Sequence, residues 1–156
     1  MGTLFEWTET VRPEWIDYNG HMNVAHYVAV FDHATEAFHA SVGIDEAYRR
    51  RGASTFAVEQ HIVYARELKS GAPLRVSARL AGHDDKRLLL FLEMNHADEG
   101  YPAATCELLC LHVDFAARKA SPFPPALKSR LAETLAAHRA VPLHLKLSRA
   151  IAVPGG

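Results

Sequence analysis

Ile16-Asp17-Tyr18-Asn19-Gly20-His21-Met22-Asn23-Val24-Ala25-His26-Tyr27-Val28 holds the turn and the helix start around which the chain is organised. Gly20 supplies the backbone freedom a tight turn needs. Asn23 is placed to cap a helix, its side-chain oxygen accepting from the first free N–H groups. From there Val24, Tyr27, Val28, Phe31, Ala34, Phe38 and Val42 follow three-and-four spacing, which predicts a helix from about Asn23 to Val42 with Gly43 as its stop. Ala25 and Ala29 keep its second face small, so a curved sheet can wrap it closely. Asp17 and His21 then stand outside the positive helix end, whose unpaired N–H groups can bind developing negative charge. Ionisable groups beside oriented N–H donors suit acyl transfer. The competing reading is local: an Asx turn and cap in which Asp17 and Asn19 bond only the backbone. Four polar groups gather where one cap would suffice, which favours function.

Upstream, Phe5, Trp7, Glu9 and Val11 alternate with Leu4, Glu6, Thr8 and Thr10, a first strand with one aromatic face that Pro13 ends. Downstream, Ile44 to Gly52 predicts a short helical connection ending in Arg49-Arg50-Arg51. That run is either solvated surface or a contact for nucleotide phosphates. The period then changes to two. Phe56, Val58, Gln60, Ile62 and Tyr64 alternate with Ala57, Glu59, His61, Val63 and Ala65, continuing to Glu67. Further strands follow over Leu74–Leu80, Arg87–Met94 and Ala103–Phe115, separated by turn-forming stretches rich in Gly, Asp and Ser.

One strand, one long helix and four successive strands predict an α+β domain with an antiparallel sheet. The apolar run Leu88–Leu92 predicts a sheet covered on both faces, the second cover coming from another subunit. Ser121-Pro122-Phe123-Pro124-Pro125 is a stiff linker. Beyond it Leu127, Leu131 and Leu135 mark a helix over Ala126–Arg139, and Leu143, Leu145 and Leu147 an extended docking arm. Residues 1–120 are expected to form the main unit, with 121–156 as linker, helix and arm of the same domain.

The chain has 156 residues, 49% hydrophobic and 22% charged, with a net charge of −1. Those values describe one ordinary globular domain and disfavour sequence-independent nucleic-acid binding. No apolar run is long enough for a membrane span, and the N-terminus lacks a signal-peptide pattern. Cys106 and Cys110 lie about 13 Å apart along a strand, too far for a disulfide. Buried thiols in a reducing cytoplasm are expected. None of the ten histidines shows a metal-ligand spacing, so no metal is expected.

Glu59, His61 and Glu67 are expected on one strand face, Glu59 and His61 about 7 Å apart, where a carboxylate can orient an imidazole. A solvent-facing polar stripe fits that pattern equally. There is no Gly-x-Ser-x-Gly elbow and no glycine-rich phosphate fingerprint, so a serine hydrolase fits poorly and a dinucleotide enzyme more poorly still. Trp7, Trp15, Tyr18, Tyr27, Phe31 and Phe56 are core aromatics or the lining of an acyl pocket, able to cage a cationic acyl group.

Asp17-x-Asn19-x-His21-x-Asn23, followed by Tyr27, resembles the hotdog-fold acyl thioesterases of the 4-hydroxybenzoyl-CoA thioesterase class. The Asp-x-Asn-x-His order is similar to that of plant acyl-carrier-protein thioesterases. Tyr64-x-Arg66-Glu67 is similar to their Tyr-Arg-Arg-Glu stretch, although Leu68 stands where they carry a cysteine. The run Asp17 to Ala25 resembles thioesterase modules linked with carnitine dehydrogenases.

The resemblance implies a hotdog fold, a sheet wrapped on one helix and paired into homodimers or homotetramers. It implies an acid or nucleophile role for Asp17 and handling of water or carbonyl by Asn19 and His21. A supporting role falls to Glu67, and Glu59 competes with Glu67 for the position facing Asp17. Asn23 and the Val24 N–H are the expected oxyanion side, and Tyr18, Tyr27 and His61 the expected substrate contacts. The expected reaction is acyl-CoA hydrolysis without a cofactor, with betainyl-CoA as one specific substrate. The alternatives are a non-catalytic acyl-CoA or acyl-carrier binding protein and a dehydratase of the same fold.

Overall fold

The computed structural model describes residues 3–142 together with Ile151 and Val153. The predicted arm at Leu143, Leu145 and Leu147 lies outside the described residues. Along the chain run β1 (Phe5–Thr10), a 3-10 turn (Pro13–Trp15), α1 (Val24–Ser41), α2 (Glu46–Arg50) and β2 (Ala53–Tyr64). They are followed by β3 (Pro73–His83), β4 (Arg87–His96), β5 (Pro102–Asp114), β6 (Lys119–Ala120) and α3 (Pro125–Arg139). The strands form an antiparallel sheet in the order β1-β3-β4-β5-β2, with β6 added to β5.

α1 forms where its spacing predicts. The Asn23 side chain accepts from the Ala25 N–H at 3.0 Å. Tyr27, Val30, Phe31, Ala34 and Phe38 are buried against the inner face of the sheet, where Leu88, Leu90, Leu92 and Met94 of β4 meet them. Each fully buried leucine of that layer contributes about 2 kcal/mol. Val24, apolar in the pattern, is instead exposed at the helix start. At the other end Gly43 adopts φ +94°, and the Arg130 guanidinium from α3 donates to the Val42 carbonyl at 3.0 Å. A Cβ on Gly43 would strike that guanidinium, so the glycine serves both the turn and the close approach of α3. Leu127 and Leu131 join α3 to the same core as α1.

Two expectations change. β2 ends at Tyr64, because the N–H groups of Ala65 and Arg66 both converge on the Ala103 carbonyl and the ladder stops. Glu67 therefore lies in a loop, not on the strand with Glu59 and His61. A bulge between Ala57 and Glu59 also breaks the alternation, since one extra residue moves every following side chain to the other face. Beyond it Gln60, Ile62 and Tyr64 oppose Leu108, Cys106 and Ala104 on the inner side, while Glu59 and His61 oppose Leu109 and Glu107 on the outer side.

The Leu88–Leu92 run is covered on both faces, but within the described residues the chain itself supplies part of the second cover. Ile151 and Val153 pack on Leu89 and Leu109 where another subunit was expected.

Candidate active site

The Ile16–Met22 stretch is a closed turn. Ile16 and Met22 form an antiparallel bridge, the Asp17 N–H donates to the His21 carbonyl, and Gly20 at φ +81° donates back to the Asp17 carbonyl. This brings Asp17 and His21 to the base of one loop. Trp15 anchors it from behind: its ring is buried, stacks on His26 at 5.2 Å and carries the Arg12 guanidinium on the same ring.

The Asp17 carboxylate accepts from the Asn19 N–H at 2.8 Å and from the Asn23 side-chain amide at 3.4 Å. The first contact is the Asx turn of the local reading; the second ties the carboxylate to the cap of α1. Within the first turn, Asn23 takes the Ala25 and His26 N–H groups through its side chain and carbonyl. The Val24 N–H is thus the first-turn donor without a protein partner among the described hydrogen bonds.

A second loop meets the first. The Met22 N–H donates to the Leu68 carbonyl at 2.8 Å, and Leu68 is fully buried. That anchor sets Glu67 beside His21, with Oε2 at 3.0 Å from Nε2. Tyr101 secures the same loop. Its hydroxyl donates to the Glu67 carbonyl at 3.1 Å, and the Arg66 guanidinium lies 3.9 Å over its ring. Sequence reasoning did not single out Tyr101; only the pairing of the β5 start with this loop reveals it.

The remaining candidates divide. Asp17, Asn19, His21, Asn23, Val24 and Glu67 gather at the start of α1. Glu59 and His61 face the outer side of the sheet, away from α1. Of the two glutamates it is Glu67 that reaches the loop. Tyr18 is 97% exposed. Tyr27 is buried, edge-on to Tyr64 at 5.2 Å, and desolvation pushes its hydroxyl up to about 12, so it is a neutral core phenol. Burial likewise pushes both thiols, Cys106 and Cys110, up to about 12, and both are unpaired. Among the described residues no group of His, Cys, Asp and Glu is placed to hold a metal.

Residues 11–131 match the model of the thioesterase-like superfamily. The chain belongs to that family. It is 37% identical over 145 residues to a betainyl-CoA thioesterase of Pseudomonas aeruginosa, covering 92% of this chain and 91% of that one. It is 44% identical over 124 residues to an L-carnitine dehydrogenase/betainyl-CoA thioesterase of Agrobacterium fabrum, of which it spans 25%. A Staphylococcus aureus protein solved in complex with CoA superposes with a TM-score of 0.88 at 29% identity, over 99% of this chain and 98% of that one. A 1,4-dihydroxy-2-naphthoyl-CoA thioesterase from Synechocystis shares the fold, with a TM-score of 0.73 at 15% identity over 84% of this chain and 97% of that one. The α+β architecture is the hotdog fold, and the chain is by family an acyl-CoA thioesterase, a thioester hydrolase.

Proposed function

We propose that this thioesterase hydrolyses betainyl-CoA, a short acyl thioester carrying a quaternary ammonium group, with Asp17 as nucleophile or general base. The observation that carries the mechanism is the Asp17 carboxylate held by the Asn19 N–H and by the side-chain amide of Asn23, the residue that precedes the Val24 N–H. A thioester carbonyl set over that N–H has its oxyanion met by a backbone donor at the positive helix end. Asp17 attacks the carbonyl or takes the proton of the attacking water. His21, braced by Glu67, orients the water or the carbonyl, and Asn19 fixes the carboxylate. The printed activity of the Pseudomonas relative supports the betainyl group. The carboxylates of Asp17 and Glu67 and the exposed Tyr64 ring offer a cation both charge and a π face.

The working form in this reading is a homodimer in the cytoplasm. β2 is an edge strand, and Phe56, Val58, Val63 and Tyr64, distributed over its two faces, are exposed, so pairing with a second β2 would satisfy the open edge. A concavity of about 860 Å³ lies away from this loop, on the outer sheet face. A second chain against β2 would wall the Asp17 loop and give exposed Tyr18 a surface to meet. No helix of the described residues is long and apolar enough to cross a membrane. The unpaired buried thiols fit a reducing compartment.

Free-thiol release from a panel of acyl-CoAs tests the substrate. The expected result is kcat/KM at least about tenfold higher for betainyl-CoA than for its uncharged isostere, 3,3-dimethylbutanoyl-CoA. Equal rates for the two would remove the cationic group from recognition.

A further inference from the structure

β2 hands the chain to the Asp17 loop through a stretch that no strand ladder holds. The last strand pair is Tyr64 with Ala104, and the N–H groups of Ala65 and Arg66 share the Ala103 carbonyl. Beyond Arg66 the backbone polar groups need partners from elsewhere in the fold. Glu67 falls in this stretch. Its side chain is 52% exposed, so close packing does not hold the carboxylate against His21; the backbone beneath it must.

Two phenols supply that hold, one from α1 and one from β5. The Tyr101 hydroxyl donates to the Glu67 carbonyl at 3.1 Å. Its ring is fixed in turn. The Arg66 guanidinium lies 3.9 Å over it, the His96 ring stands 5.1 Å away, and the His96 N–H donates to the Tyr101 carbonyl at 3.0 Å. From α1, the Tyr27 hydroxyl oxygen takes a hydrogen bond from the Leu68 backbone, while the Leu68 carbonyl accepts from the Met22 N–H at 2.8 Å. The Tyr27 ring is buried and edge-on to Tyr64, 5.2 Å between centroids at 89°. Phenylalanine would fill that place equally well, and a buried hydroxyl is costly unless a partner meets it. Here the partner is the residue next to Glu67. Tyr27 also lies one helical turn past the Asn23 cap, so the turn of α1 that begins at Asp17's amide partner also fixes the loop bracing His21.

We propose that Tyr27 is a positioning residue for hydrolysis, acting with Tyr101 as a clamp on residues 67 and 68 that sets the Glu67 carboxylate against His21. Neither hydroxyl contacts the acyl group or the attacking water; each acts through Glu67. This role rests on Glu67 bracing His21 in the reaction. The brace tolerates little displacement, because its 3.0 Å contact is an ordinary hydrogen-bond distance and a shift of about 1 Å breaks it. Removing either hydroxyl leaves its ring in place and frees the backbone group that it held.

The test is a pair of double-variant cycles read by thiol release from betainyl-CoA and from 3,3-dimethylbutanoyl-CoA. Tyr27→Phe and Tyr101→Phe are each made in the native chain and in Glu67→Gln. In the native chain each is expected to lower kcat about fivefold, with KM within about twofold of its native value. In Glu67→Gln, which has already lost the charge being positioned, each is expected to change kcat by less than about twofold. Equal losses in both backgrounds overturn the proposal, because the hydroxyls would then act by a route other than Glu67. So does a native kcat in Tyr27→Phe, and so does a rise in KM alone, which would make the phenol a substrate contact. A Tyr27→Phe chain that no longer folds, read by circular dichroism, overturns it too, since the hydroxyl would be a stability element. Native kcat in Glu67→Gln refutes the brace itself, whereas an impaired Glu67→Gln beside a native Tyr27→Phe refutes only the clamp.

Discussion

His21 and Glu67 stand 3.0 Å apart although one belongs to the turn before α1 and the other to the loop after β2. Their meeting depends on the buried Leu68, whose carbonyl holds Met22, and on Tyr101, whose hydroxyl holds the Glu67 carbonyl. Glu67→Gln keeps the size and a hydrogen bond but removes the charge that orients the imidazole. Turnover is expected to fall on the order of tenfold or more, with KM little changed. Steady-state thiol release checks it; an unaltered kcat would reduce the pair to a surface contact.

Asn23 has two duties, capping α1 through Ala25 and holding Asp17 through its amide. Asn23→Ala should lose about 1 kcal/mol of stability, as expected for a helix cap. It should also lower kcat, whereas Asn23→Asp should keep most of the cap and still lower kcat by setting a second carboxylate beside Asp17. Urea unfolding and kinetics on both variants separate the duties. Full activity in both would confine Asn23 to the helix.

His39 gives the fold a pH dependence. The side chain is buried between α1 and β2; Thr55 Oγ1 lies 3.4 Å from Nδ1, and Nε2 has no partner among the described residues. Desolvation first, and then the Arg49 charge, hold its pKa down to about 4. The folded state therefore resists the proton that the unfolded chain accepts near 6.5. Stability from this group is complete above about pH 6.5 and is lost as the pH falls towards 4, on the order of 3 kcal/mol in all. Unfolding free energies at pH 7.5, 5.5 and 4.5 should fall more steeply for the native chain than for His39→Gln. Parallel slopes would contradict the assignment.

Much of this was legible in the residues themselves. Asn23, the three-and-four spacing and Gly43 mark α1 because caps and periodicity are local. The strands after Gly71 were legible for the same reason. β2 was not, because a bulge at Val58 carries no residue signature and reverses the parity that places Glu59 and His61. The candidate site was legible at Asp17, Asn19 and His21, which are neighbours in sequence and share one turn in the fold. Glu67 entered on the wrong footing, as a strand-face partner of Glu59 and His61 with added weight from family likeness, and Tyr101 did not enter, because both depend on contacts between distant loops.

The most direct test of the catalytic assignment is the turnover of Asp17→Asn. This substitution keeps the shape of the side chain and the acceptor that the Asn19 N–H uses, but it removes charge and basicity. Thiol release from the best acyl-CoA should fall by at least about a hundredfold, with the unfolding midpoint and the assembly mass unchanged. Near-native turnover would exclude Asp17 from the chemistry. Loss of folding would leave it as the Asx turn and cap that the local pattern also allows.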